Sequence, residues 1–215
     1  MKTARYRNAV VALSTLLIAS GCSNMHILEA ENAELSKRVT ELEQIEKKHS
    51  TAEKENVQLQ QELAAIRSDL TQRLEEQIKK NDVLLEKIKS LTVVTLGEAS
   101  AFGSGVADLT SAGVTIIQEI AKTLEEYPEY SVRVEGHTDD VPVGARLKPR
   151  YPSNWELSAA RAGSVVRYMI YGLNIAPDRL AATGYAHYRP VALNTTEEGR
   201  IKNRRIRIVV FKEAL

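Results

Sequence analysis

Asp139 ends the run Val134-Glu135-Gly136-His137-Thr138-Asp139, and Arg161 lies within Asn154-Trp155-Glu156-Leu157-Ser158-Ala159-Ala160-Arg161-Ala162. Tyr130 to Glu135 alternates Val132 and Val134 against Arg133 and Glu135, the period of a half-buried strand. Asp139 then falls at the carboxyl edge of the sheet, a common ligand position. Ser153 and Glu156 stand at the spacing of a capping box, which opens a helix. Arg161 sits about two turns into that helix. If the helix packs beside the strand, a carboxylate and a guanidinium flank one small pocket. Such a pair suits a ligand with separated ammonium and carboxylate groups, since the planar guanidinium fork binds a carboxylate bidentately. The helix N-terminus near Asn154 adds backbone N–H donors for an anion. Taken alone, the two residues fit a structural salt bridge between strand end and helix better than a ligand site.

Other chemistry-bearing residues are weaker signals. Gly103-Ser104-Gly105 hints at a phosphate loop, but Asp108 stands at the third glycine position of a dinucleotide fingerprint. Asp139 and Asp140 are adjacent, and adjacent side chains point apart. His137 and His187 are expected to be ordinary, hydrogen-bonded histidines; His26 and His49 are lone and solvated. Arg204, Arg205 and Arg207 form a basic cluster, read as a site rim or a solvated strand face. Trp155 reads as a packing anchor. No nucleophile–base pair or metal set stands out, so neither an enzyme nor a cofactor is expected.

The elements that would position these residues emerge from composition. The 215 residues carry 29 Lys+Arg against 28 Asp+Glu, a net charge of +1 that argues against a nucleic-acid partner. A single cysteine excludes an intramolecular disulfide framework. From Cys22 to Leu96 there is no Gly, Pro or aromatic residue, whereas ten of the 11 glycines and all six prolines lie beyond. Unpunctuated chain reads as continuous helix, and punctuated chain as a compact fold.

A coiled coil is expected over residues 27–91. Leu28, Leu35 and Leu42 are spaced by sevens, Leu59, Leu63, Ile66 and Leu70 by 4-3-4, and Leu85, Ile88 and Leu91 close the seam. Val39, Leu42 and Ile45 form a stammer, and Ile66, Leu70, Leu74 and Ile78 a stutter. His49, Ala52 and Asn56 weaken the middle. The aliphatic stripe predicts self-association into a homo-oligomer, and a rod of roughly 95 Å at about 1.5 Å per residue.

Residues 92–215 are expected to form the globular domain. Strands are predicted at Leu91–Leu96, Tyr130–Glu135, Leu180–Thr183 and Arg205–Phe211. Helices are predicted from a cap at Thr110 or Ser111 to a stop before Pro128, from Ser153 to about Tyr171, and, shorter, at Glu197–Asn203. The order β-α-β-α-β-(α)-β makes a mixed sheet with helices on one face. The fold class is therefore α+β, an N-terminal coiled-coil helix followed by an α/β sandwich.

At the N-terminus, Lys2, Arg5 and Arg7 precede an apolar run, Ala9 to Ala19, of signal-peptide length. Ala19-Ser20-Gly21-Cys22 resembles a bacterial lipobox. That resemblance implies a lipoprotein signal peptide over 1–21, cleavage before Cys22, and lipidation of Cys22 at the start of an anchored segment, 22–26. At about 0.8 kcal/mol per buried CH₂, a multiply acylated cysteine is a firm anchor. Ser23, where Asp would retain the protein at the inner membrane, implies the outer membrane.

The pattern N-x-x-L-S-x-x-R-A-x-x-V is matched at Asn154, Leu157, Ser158, Arg161, Ala162 and Val165. With Val134 to Asp139, Asp178-Arg179-Leu180, Gly184-Tyr185 and Asn203-Arg204-Arg205, this region resembles the OmpA-like peptidoglycan-binding domain shared by OmpA, the peptidoglycan-associated lipoprotein and MotB. Phe102 to Leu109 and the long loop from Asp140 to Ser153 are closest to the MotB branch. The resemblance implies that Asp139 takes the ammonium, and Arg161 the carboxylate, of a diaminopimelate side chain in peptidoglycan. It adds Thr138, Asn154, Leu157 and Arg205 as secondary positions. The function so implied is an outer-membrane lipoprotein whose periplasmic domain tethers the membrane, or an envelope complex, to the wall. A MotB-like stator or secretion-machine subunit is the alternative. A stator channel requires an ionisable residue within a spanning helix, and Ala9 to Ala19 has none.

Overall fold

The computed structural model describes residues 25–80, 82–88, 91–103 and 106–212. The expected signal peptide, Cys22, Ser104 and Gly105 lie outside the described residues. The elements in chain order are α1 (Met25–Arg73), α2 (Glu75–Lys79), β1 (Val83–Ile88), β2 (Leu91–Gly97), α3 (Glu98–Ala101), α4 (Ser111–Glu126), β3 (Tyr130–His137), α5 (Asn154–Leu173), a 3₁₀ turn (Pro177–Arg179), β4 (Leu180–Gly184), α6 (Glu197–Asn203) and β5 (Arg205–Lys212). The chain divides into two units between Asn56 and Val57.

Residues 28–56 are helical throughout, and Leu35, Val39, Leu42 and Ile45 are 44–64% exposed. An i,i+4 pair, Glu34 with Arg38 at 2.6 Å, supports the helix locally.

The second unit is built on a mixed five-stranded sheet in the order β1-β2-β5-β3-β4, in which only β3 and β4 run parallel. Alternation decides its faces. Val94 pairs with Ile208 and Val134 pairs with Ile208, so these side chains share one face with Leu96, Val132, Ile206 and Val210. They form one core with Ile116, Ile117, Ile120 and Leu124 of α4 and Ala162, Val165 and Met169 of α5. Helices therefore cover one face, as the sequence pattern predicts.

The expected coiled-coil seam does not extend to Leu91. Val83–Ile88 is a strand, paired antiparallel with β2 from Val83 opposite Leu96 to Ile88 opposite Leu91. So short an apolar run fits either period, and a full ladder of strand pairing outweighs a helical continuation. Leu63, Ile66, Leu70 and Leu74 are at most 3% exposed and belong to the domain's own core. Polar contacts fix that part of α1. Asp69 accepts from Thr123 at 2.5 Å, and Glu62 accepts from Tyr130 and Lys212, each at 2.9 Å. Arg73 pairs with Glu126. Burial, and then the Glu62 contact, push the Tyr130 hydroxyl's pKa up.

The other sheet face is charged. Glu135 is buried between Arg133 at 2.9 Å and Arg207 at 2.8 Å. Burial alone would raise its pKa; the nearby His137, Arg133 and Arg207 outweigh this and hold it at about 2. His137 stacks on Tyr185, and neither ring nitrogen has a hydrogen-bond partner among the described residues, contrary to the expectation for this histidine. Burial pushes its pKa down, with Glu135 opposing.

Candidate functional site

The carboxyl ends of β2, β3 and β4 and the start of β5 meet at one edge, where Gly97 and His137 both lie opposite Arg205 and Gly136 lies opposite Gly184. The helix α5 reaches this edge because two glycines let it approach. A Cβ on Gly136 would collide with the Ser158 carbonyl, and one on Gly184 with the Ala159 backbone. Ser153 caps α5 with the full capping box, its N–H donating to Glu156 at 2.7 Å. The Ser158 hydroxyl accepts from the Ala186 N–H at 3.1 Å, and the Ala186 carbonyl accepts from the Thr138 N–H at 2.9 Å. These two bonds hold Ala186 at a φ of 48°, an uncommon conformation for a residue with a Cβ.

A cleft of about 240 Å³ opens here, lined by Asp139, Thr138, Asn154, Leu157 and Arg161. Five of the six ligand positions expected in the domain thus come together. Asp139 and Arg161 are buried, 6% and 3% exposed. Asn154 donates to the carbonyls of Asp139, at 3.2 Å, and Val141, at 3.0 Å, and so fixes the loop behind the carboxylate. Thr138 donates to the Asp139 carbonyl at 2.8 Å. Leu157 packs with Ala107, Val143 and Tyr151 in a second, small apolar cluster at the cleft.

Asp139 and Arg161 do not form the salt bridge with each other that the two residues taken alone would suggest; each is paired elsewhere. The Asp139 carboxylate accepts from the Val141 N–H at 3.1 Å and from Arg204 at 2.6 Å. Arg161 donates to the Val106 carbonyl at 3.1 Å, pairs with Glu98 and lies over the Phe102 ring. Arg204 closes the chain of charges, reaching Glu98 at 3.2 Å and Glu197 at 3.0 Å.

Arg205, the sixth expected position, is not in the cleft. Its guanidinium is buried and donates to the carbonyls of Asn203 and Arg189, at 3.1 and 3.0 Å. Burial, and then Arg207, push its pKa down to about 10. The reason is strand parity: Arg205 precedes Ile206, which faces the helices, so Arg205 faces away. Arg204 has the parity of Ile206 and lines the cleft instead. The sequence marks it only as part of a basic cluster. The only sequence signal for Glu98 is its place directly after strand-ending Gly97, comparable to that of Asp139 two residues beyond β3. Trp155 is no packing anchor: it is 48% exposed and stacks on Tyr188 at 5.2 Å.

The OmpA family model matches residues 101–204, which hold Asp139, Arg161 and the whole of α5. The chain carries an OmpA-family domain. Over 152 residues, 71% of this chain and 57% of the relative, it is 29% identical to motility protein B of Bacillus subtilis. An uncharacterised protein of the same organism, YtxE, is 41% identical over 56% of this chain and 48% of its own length. The chain therefore spans about half the length of these relatives. Among solved structures, the cell wall anchor of the T6SS from Pseudomonas aeruginosa is 35% identical, with a TM-score of 0.60 over 67% of this chain and 97% of that one. A MotB-like protein of Desulfovibrio vulgaris, at 24% identity and TM-score 0.67 over 74% of this chain and 97% of that one, shares the fold. The OmpA-family match runs from Ala101 to Arg204, so β1, β2 and the buried part of α1 lie before it and β5 lies after it.

Proposed function

We propose that the domain binds peptidoglycan non-covalently, as a binding module and not an enzyme, by capturing the zwitterionic end of a diaminopimelate side chain. The observation that carries this reading is the placement of a buried carboxylate and a buried guanidinium on one cleft, each already matched to an opposite charge. In this reading the ligand ammonium takes the place of Arg204 at Asp139, and the ligand carboxylate that of Glu98 at Arg161. Each charge-assisted bond gained contributes roughly 1.5–3 kcal/mol, but each replaces one lost, so a single site binds modestly. Self-association through the exposed stripe at Leu35 to Ile45 would raise the effective concentration against a repeating polymer. The likeness to a protein described as a peptidoglycan-binding protein, ArfA of Mycobacterium tuberculosis, 35% identical over 57% of this chain, supports the ligand class.

The wider role follows as a tether between wall and membrane, with Cys22 as the lipid anchor in the outer membrane. Service within a larger envelope machine is the second reading, favoured by the likeness to motility protein B and to the T6SS wall anchor. Among the described residues, no helix is long and apolar enough to cross a membrane. Intact-mass analysis of the membrane-extracted chain separates the two anchors: acylated Cys22 supports the tether, and an uncleaved N-terminus the stator form.

Pelleting of the full chain with isolated sacculi tests the ligand. Wild type is expected to sediment, whereas Asp139→Ala and Arg161→Ala remain in solution although folded by circular dichroism. Equal pelleting of all three removes the site.

A further inference from the structure

Glu98 and Arg204 are neighbours across the end of the β2–β5 ladder. The Glu98 N–H donates to the Arg204 carbonyl at 3.0 Å, one step beyond the Gly97–Arg205 pair. Their side chains are joined at 3.2 Å. One carboxylate of this pair rests on Arg161 and one guanidinium on Asp139. Together they present to the site an anion and a cation at the separation the site itself dictates.

We propose that Glu98 and Arg204 are an internal surrogate of the ligand, a coupled pair that determines specificity by admitting only a molecule carrying both charges. The inference rests on the function proposed above and names the discrimination made by that same site. Because the two side chains are bonded to each other, drawing Arg204 off Asp139 also draws Glu98 off Arg161. A ligand with an ammonium alone then leaves Arg161 charged, buried and unmatched, and an uncompensated buried charge is costly. A ligand with both groups refills both positions. Lysine differs from diaminopimelate only in lacking the distal carboxylate, so the pair sets the site against lysine-bearing peptides. Glu197, the third partner of Arg204 at 3.0 Å, is exposed and receives the displaced guanidinium.

Calorimetric titration of the full chain with two synthetic peptides, identical except for diaminopimelate or lysine at one position, tests this. Wild type is expected to favour the diaminopimelate peptide by about 30-fold or more, the scale of one matched buried charge. Glu98→Gln keeps the shape but weakens the competitor. It should bind the diaminopimelate peptide about tenfold more tightly, while its ligand-free melting temperature falls because Arg161 has lost its charged partner. A merely structural role would move affinity and stability in the same direction. Arg204→Lys retains a cation on Asp139 but cannot bridge to Glu98 with a planar fork. Glu98 then stays on Arg161 when lysine enters, and the preference should shrink severalfold. Unchanged or weaker binding by Glu98→Gln, or an undiminished preference in Arg204→Lys, overturns the surrogate while peptide binding by wild type stands. Failure of wild type to bind either peptide overturns the proposed function and this inference with it.

Discussion

Leu35, Val39, Leu42 and Ile45 carry nearly the same aliphatic spacing as Leu63, Ile66 and Leu70 of the same helix and Leu74 just beyond its end, and meet opposite environments. The first four are 44–64% exposed, and the second four at most 3%. Period specifies that a helix has an apolar stripe; it does not specify what covers the stripe. The difference lies in chain outside the helix. Residues 57–74 have α4 and the sheet to pack against, with Thr123 and Tyr130 supplying polar contacts to Asp69 and Glu62. Residues 28–56 have no such partner among the described residues, which leaves a second copy of the chain as the proposed cover.

Cutting the chain should have the largest effect. A fragment of residues 57–215 should melt cooperatively, whereas residues 92–215 should show no cooperative transition by circular dichroism. The shorter fragment loses β1 and four buried aliphatic side chains, each worth about 1.5–3 kcal/mol, against a total stability of about 5–15 kcal/mol. Next in size, Leu70→Ala should destabilise by about 2–5 kcal/mol in chemical denaturation. Acid acts on the same unit through Glu135. Its folded pKa of about 2 lies below the ordinary 4.5, so its contribution is present above pH 4.5 and is lost as pH falls toward 2. Melting curves across that window should decline for wild type and flatten for Glu135→Gln. Smallest of all, Leu42→Ala should change the unfolding free energy of monomeric chain hardly at all, by under about 0.5 kcal/mol. It should instead weaken self-association in sedimentation velocity. A large stability loss from Leu42→Ala would erase the contrast between the stripes.

Much of this was legible in the residues. The capping box at Ser153, the alternation of β3 and β5, and the positions of Asp139 beyond a strand end and Arg161 two turns into the next helix all follow from local rules. What escaped depends on tertiary competition. The run at Val83–Ile88 is too short for its period to decide between helix and strand, and pairing with β2 decides it. The family resemblance points to Arg205 and not Arg204, although the alternation of Ile206, Ile208 and Val210 turns Arg205 from the helix face. Glu98 occupies a strand end like Asp139, but its role depends on Arg161, distant in sequence and brought near only by the close approach of α5 at Gly136 and Gly184. Sequence rules find charges; the fold decides which of them face each other.

The most direct measurement is a crystal structure of the full chain, or of residues 57–215 once shown to fold, with a diaminopimelate-bearing stem peptide. The ligand ammonium is expected on the Asp139 carboxylate and its carboxylate on the Arg161 guanidinium, with Arg204 and Glu98 displaced. A peptide bound elsewhere, with the Asp139–Arg204 and Arg161–Glu98 pairs intact, would contradict this.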